Sequence, residues 1–192
     1  MALFPLFVRL ENRPCLVVGA GAVGEAKTES LVQAGAAVWV VAPCATPRIK
    51  EWAASGGIAW LPRKFSPADL EGKFLVVAAT SSVAVNDFVF QEARSRDVLC
   101  NVVDDPPRCD FFYPAVLRRG DLQIAVSTNG KSPALAQRLR ERFAREFGPE
   151  YAESVRKLGA ARERLFQLRI APARRREMLL RMARQLPLPG EK

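Results

Sequence analysis

Apolar positions in the first part of this chain fall in short continuous runs, separated by longer segments in which they recur every three or four places. Cys15–Val18, Ala37–Val41, Ile58–Leu61, Phe74–Ala79 and Val98–Val103 are runs of four to six residues, the length expected of strands buried on both faces. Between them, Val23–Ala34, residues 46–55 and the stretch from Thr80-Ser81-Ser82 to about Arg96 read as helices. Gly35 sits just past the first helix, and Ala42-Pro43 stops the second strand. This alternation predicts a parallel sheet with crossover helices on both faces, a doubly wound α/β fold. Such sheets bind ligands at the carboxyl ends of their strands, which directs attention to the loops after Val18, Val41, Ala79 and Val103.

The rhythm changes near Pro114. One further strand, Leu122–Ser127, leads through Thr128-Asn129-Gly130-Lys131 into a helix with Ser132 as its cap and Pro133 in its first turn. That helix runs to about Phe147, and Gly148-Pro149 breaks it. Residues 150–186 read as mainly helical with an interruption around Pro172, and the residues from Pro187 are expected to fray. The chain divides accordingly into residues 1–113, 114–147 and 148–192.

Composition narrows the class. Hydrophobic and charged fractions of 49% and 26% are those of a globular protein. No stretch approaches the roughly 20 apolar residues needed to cross a bilayer. Met1-Ala2-Leu3-Phe4-Pro5 lacks the basic start of a secretion signal, so a cytoplasmic protein without membrane attachment is expected. Cys15, Cys44, Cys100 and Cys109 are scattered without a C-x-x-C pair and read as buried free thiols rather than metal ligands. Histidine is absent, which removes His-based metal sites and Ser-His or Cys-His catalysis. Acid–base work then falls to carboxylates, lysine or tyrosine.

The net charge of +9 belongs to the C-terminal part: residues 1–113 carry 11 basic and 12 acidic side chains, residues 114–192 carry 18 and 8. A field of this kind attracts nucleic acid, a membrane surface or a small polyanion, and charge alone does not choose among them. The run Arg174-Arg175-Arg176 with Arg181 and Arg184 has no interleaved aromatics and no nucleic-acid motif, so it reads as a solvated helix face.

Gly19-Ala20-Gly21-Ala22-Val23-Gly24 fits G-x-G-x-x-G between a strand and a helix. In that context Gly19 permits the tight turn, Gly21 lets a pyrophosphate approach the backbone and Gly24 lets helix and strand pack closely. The helix N-terminus at Ala22 and Val23 offers free N–H groups and a positive dipole to phosphates. The acidic residue that usually ends the second strand and holds the ribose is missing, since the chain reads Val41-Ala42-Pro43-Cys44. Ribose contacts are therefore assigned to backbone around Pro43 and Cys44. Asn101-Val102-Val103-Asp104-Asp105-Pro106-Pro107 places carboxylates at the end of a strand. They suit either proton acceptance during hydride loss or the start of a turn.

Several stretches then carry a resemblance. Phe4-Pro5-Leu6-Phe7, Val17-Val18-Gly19-Ala20-Gly21, Ala78-Ala79-Thr80, Cys100-Asn101-Val102-Val103-Asp104, Phe112-Tyr113-Pro114-Ala115 and Ile124 to Ala136 occur in the order and spacing of the precorrin-2 dehydrogenase module of siroheme synthases. The resemblance covers about residues 2–147. It implies an NAD-binding Rossmann domain over 1–113, a small α+β dimerisation segment over 114–147 and a helical C-terminal domain over 148–192. It further implies a homodimer, NAD as cofactor, and oxidation of precorrin-2 to sirohydrochlorin in a cleft between the first two parts. Some members also insert ferrous iron, and the chain's own residues leave that activity, and any metal ligands, open.

By the resemblance Asp104 is the catalytic residue, and Thr80 joins Gly19, Gly21, Ala22, Val23, Gly24, Pro43 and Cys44 at the cofactor. Asn101, Ser127, Thr128, Gly130, Lys131 and Ser132 then belong to the substrate side, with Thr128 standing where relatives often have serine. A polycarboxylate tetrapyrrole suits the basic segment, with Lys131 the foremost candidate and Arg118, Arg119, Arg138 and Arg140 nearby. The alternative from another class is an NAD-sensing regulatory module whose basic tail binds a partner or nucleic acid.

Overall fold

A computed structural model describes residues 3–185; the fraying expected from Pro187 onward lies outside them. The chain forms two compact units, which meet in sequence between Phe112 and Tyr113. The first contains β1 (Pro14–Val18), α1 (Ala22–Gln33), β2 (Ala37–Val41), α2 (Pro47–Ala54), β3 (Ala59–Leu61), β4 (Leu75–Ala78), α3 (Val83–Arg94) and β5 (Leu99–Val102). All five strands are parallel, in the order β3-β2-β1-β4-β5. The doubly wound sheet expected from the apolar runs is therefore present: β1 begins one residue before its run, β2 matches its run, and β3, β4 and β5 are a residue or two shorter than theirs.

The core follows from the runs themselves. Leu16, Val18, Val41, Val76, Ala78 and Val102 from the sheet join Leu70, Val89 and Ala93 from beside and above it in one buried cluster. Strand order reverses between β1 and β4, because the chain goes outward through β2 and β3 before returning to pair β4 on the other side of β1. A crevice opens at such a reversal, where the two connections leave in opposite directions. Helix starts are set locally: Thr46, Ser82 and Ser132 each accept a hydrogen bond from the backbone N–H three residues on. The start of α1 differs. Its first residue follows Gly21 with no side-chain cap, so its terminal amides remain open to a ligand.

The second unit contains β6 (Ala115–Arg119), β7 (Leu122–Val126), α4 (Pro133–Glu146), α5 (Glu150–Gln167) and α6 (Pro172–Arg184). Strand β6 is not foreseen by the apolar pattern, because two of its five residues are arginines. It pairs antiparallel with β7 around Gly120-Asp121, and Gly120 takes a left-handed φ of 56°. Arg119 reaches the end of α4, where its Nε donates to the Phe147 carbonyl at 2.9 Å and its Nη2 to the Ala144 carbonyl at 3.1 Å. A cation that satisfies the last carbonyls of a helix also complements its dipole. Among the described residues no helix is long and apolar enough to cross a membrane.

All four cysteines are free, and among the described residues no three His, Cys, Asp or Glu side chains gather in a way that could hold a metal ion. The expectation that all four thiols are buried needs correction. Cys15 and Cys100 are buried, Cys109 is half-buried and Cys44 is exposed, because β2 has ended at Val41 and Pro43-Cys44 lies in the loop beyond it.

Two glycines predict opposite outcomes. A Cβ on Gly24 would collide with the backbone carbonyl of Gly19, whereas a Cβ on Gly159 in α5 would meet nothing within 4 Å. Gly24→Ala should lower the unfolding free energy by about 1–3 kcal/mol, the cost of overpacking. Gly159→Ala should raise it by roughly 0.5–1 kcal/mol through helix propensity. Chemical denaturation measures both, and an unchanged midpoint for Gly24→Ala would mean that β1 and α1 can part without penalty.

Candidate functional site

The glycine loop is built from close backbone approaches. Gly19 has φ 107°, and a Cβ there would strike the Ala79 carbonyl and come to 3.0 Å from the Thr80 nitrogen. Only glycine serves at this position, for reasons of both conformation and space. The Gly19 N–H donates to the Val41 carbonyl at 3.0 Å, and the Thr46 N–H donates to the Ala20 carbonyl at 3.1 Å. The ends of β1, β2 and β4 are thereby drawn to one place, bringing Gly19–Gly24, Pro43, Cys44 and Thr80 together. Gly21 is the exception in the loop: no atom lies within 4 Å of where its Cβ would be. That open spot, beside the uncapped amides of α1, is a cradle that fits a pyrophosphate.

Thr80 is held more firmly than its sequence context suggests. Its N–H donates to Asn86 Oδ1 at 3.2 Å, its carbonyl accepts from Asn86 Nδ2 at 3.0 Å, and its hydroxyl donates to Asn86 Oδ1 at 2.7 Å. The Ser82 N–H donates to Thr80 Oγ1 at 3.2 Å. Asn86, which the sequence reading did not single out, therefore organises this turn. Its position four residues past the cap of α3 carried no signal without the fold.

Beyond β5 the chain makes a tight turn in which Asp104 adopts φ 61°. Asp and Asn tolerate the left-handed region better than other residues with a side chain, and a residue held there stores about 1–3 kcal/mol of strain. The neighbouring carboxylates are committed to the loop. Asp105 pairs with Arg108 at 2.6 Å, Arg108 also reaches Asp87 at 3.0 Å, and Asp110 accepts the Cys100 N–H at 2.8 Å. Asp104 itself is exposed. Lys27 on α1 is half-buried, and burial holds its ammonium below the usual lysine range, opposed by the charge of Asp104. The cation of α1 and the carboxylate of the β5 turn thus attract one another across the sheet end.

Asn101 and Cys109 support the turn from beneath. Asn101 is buried, and its Nδ2 donates to the Phe111 carbonyl at 2.8 Å and contacts Cys109 Sγ at 3.4 Å. The Cys109 thiol lies 3.2 Å from both the Val102 and Asp105 carbonyls, which flank Asp104. Burial raises the Cys109 pKa and pushes Cys15 up to about 11 and Cys100 up to about 12. These thiols stay protonated at neutral pH.

In the second unit, Ser127, Thr128, Gly130, Lys131 and Ser132 form the loop between β7 and α4. Asn129 and Gly130 take successive left-handed conformations of φ 56° and 74°. Ser127 Oγ accepts the Asn129 N–H at 3.2 Å, Thr128 Oγ1 accepts the Ser132 N–H at 3.0 Å, and Ser132 Oγ accepts the Leu135 N–H at 3.3 Å. The hydroxyl that Thr128 shares with serine is the atom this loop uses. Lys131, Arg118 and Arg138 are exposed. Arg119 is not available as a substrate-gripping side chain, being taken up by the end of α4.

A model of NAD(P)-binding domains matches residues 6–115, and a model of the central part of sirohaem biosynthesis proteins matches residues 119–146. Siroheme synthase 3 of Aeromonas hydrophila is 43% identical over 165 residues, which are 86% of this chain and 35% of that protein. Siroheme synthase 1 of Aeromonas salmonicida is 46% identical over 143 residues, 74% of this chain and 31% of that protein. The chain thus spans about a third of the length of the curated relatives it matches. Among solved structures, SirC, a precorrin-2 dehydrogenase, superposes with a TM-score of 0.81 at 30% identity, covering 94% of this chain and 89% of that one.

The open space at Gly21 and the exposed thiol at Cys44 each predict a measurement. Gly21→Ala should melt at the wild-type temperature, since nothing lies within 4 Å of the added methyl group, yet bind a nicotinamide dinucleotide at least about tenfold more weakly. Equal affinity would place the pyrophosphate elsewhere. Alkylation of the native protein should modify Cys44 and spare Cys15 and Cys100, and saturating dinucleotide should slow it. A Cys44 rate indifferent to dinucleotide would remove the Pro43-Cys44 loop from the ribose.

Proposed function

This chain belongs to the family of NAD(P)-binding siroheme biosynthesis proteins, and from that premise we propose that it is an NAD-dependent precorrin-2 dehydrogenase. The observation that carries the reading is the pairing, on one sheet end, of a ligand-ready glycine loop with an exposed carboxylate on a strained turn. In this reading the Gly19–Gly24 loop and the amides of Ala22 and Val23 hold the pyrophosphate. The backbone of Pro43 and Cys44 lies against the ribose, and the turn at Thr80 bounds the other side. NAD, when bound, supplies a hydride acceptor.

Oxidation of precorrin-2 to sirohydrochlorin removes two electrons and protons from a saturated edge of the macrocycle, so a base must take up a proton as hydride departs. Asp104 fills that role. It is exposed where Asp105 and Asp110 are committed to the loop, and Lys27 offers a positive charge beside it. Asn101 and Cys109 position the turn rather than touch the substrate in this scheme. The ionised arms of the tetrapyrrole suit the exposed Lys131, Arg118 and Arg138 of the second unit, where a guanidinium can bind a carboxylate through two bonds. Assembly as a homodimer through residues 114–147 is part of the same proposal. Its support is the two-stranded sheet of β6 and β7, each paired along one side only among the described residues.

Purified protein mixed with precorrin-2 and NAD should generate NADH, and no NADH from substrate proven with a competent enzyme would end the dehydrogenase reading. Asp104→Asn should fold and bind NAD as the wild type does while losing at least about 100-fold in turnover. Near-normal turnover of that variant would remove Asp104 from proton transfer.

A further inference from the structure

Between the end of β4 at Ala78 and the start of α3 at Val83 the chain leaves the sheet, and its backbone groups lose their ladder partners. An N–H and a C=O in this position need other company or open water. Asn86 supplies both for Thr80, through a single planar amide whose oxygen faces the Thr80 N–H and whose nitrogen faces the Thr80 carbonyl. The Thr80 hydroxyl adds a third bond to the same oxygen and receives the Ser82 N–H.

None of this is required to begin the helix. Ser82 already caps α3 by accepting the Val85 N–H, and the Asn86 backbone N–H bonds normally to the Ser82 carbonyl. The Asn86 side chain is therefore directed at the turn and not at its own helix. The turn in question abuts the glycine loop, since the Ala79 carbonyl is the atom that excludes a side chain from Gly19. It also stands at the reversal of strand order between β1 and β4, where the crevice of the sheet opens.

We propose that Asn86 is a positioning residue for the dinucleotide: by bonding both backbone groups of Thr80 it shapes the Ala79–Ser82 turn into the wall of the crevice opposite the Gly21 cradle. The proposal rests on the reading of that crevice as the cofactor site. A donor and an acceptor are both required, and they must be coplanar at the span of one short amide. Asparagine provides this; aspartate keeps the shape and the acceptor but loses the donor, and alanine loses both. With the clamp gone, the Thr80 N–H and carbonyl seek water and the wall moves away from the glycine loop.

The test uses the full chain with NAD as the probe, followed by calorimetric titration at a temperature where thermal melts show every variant fully folded. Asn86→Ala should bind NAD roughly tenfold more weakly than wild type, the loss of one to two net hydrogen bonds. In turnover assays its KM for NAD should rise similarly while its KM for precorrin-2 stays within about twofold. Asn86→Asp should also weaken NAD binding despite its matching volume, and it decides the matter alone if Asn86→Ala does not fold. Wild-type affinity for NAD in folded Asn86→Ala or Asn86→Asp would overturn the proposal and leave the cofactor site intact. Failure of the wild type itself to bind NAD would instead overturn the cofactor reading beneath it.

Discussion

Where α1 crosses the end of β1, the backbone at Gly24 lies against the carbonyl of Gly19 with no room for a methyl group, and Gly19 in turn lies against the carbonyl of Ala79. These two contacts fix the height of the helix above the sheet and the separation of the loops that follow β1 and β4. Once they are made, the helix starts without a side-chain cap and with its amides directed over an unfilled space at Gly21. The open spot at Gly21 is thus a by-product of how tightly three backbones can pack. Everything else at this end of the sheet, from the Asn86 turn to the strained loop of Asp104, is arranged around that fixed core.

Much of the first unit was legible from the chain alone because buried parallel strands need apolar residues on both faces. The runs from Cys15 to Val103 could be read as strands without knowing their order, and the G-x-G-x-x-G motif named the first loop. What escaped were features that owe their form to tertiary partners. Strand β6 contains Val116 and Leu117 followed by Arg118 and Arg119, too charged to look like a strand, although Gly120-Asp121 between two short runs is a hairpin signal. Asn86 offered nothing local to distinguish it from any polar residue on a helix. In the sequence the family resemblance alone favours Asp104 over Asp105, and the physical difference between them, an arginine partner at position 108 for Asp105 and a left-handed backbone at Asp104, is visible only in the fold.

Charge was the least informative quantity at the level of composition. The excess of basic residues after residue 113 suggests a single positive field, but the side chains have different employments. Arg119 closes a helix end, Arg142 pairs with Glu146 at 2.7 Å and Arg156 with Glu153 at 2.6 Å. Arg162 and Arg175 lie over the ring of Phe166, 4.7 and 3.8 Å from its centroid. These exposed pairs contribute little to stability individually. They do, however, lower the number of cations free to meet a polyanion, so the count of arginines overstates the strength of any basic surface.

The ribbon of β6 and β7 has a consequence for how the chain matures. Among the described residues its outer edges carry no further strand, and residues 115–126 leave the ribosome before α4, which packs against them, is complete. Arg118 and Arg119 place two positive charges on β6, and charge on an exposed strand opposes its extension by another strand. Arg119 thus has two effects, since the guanidinium that fastens the end of α4 also puts charge on a strand of the ribbon.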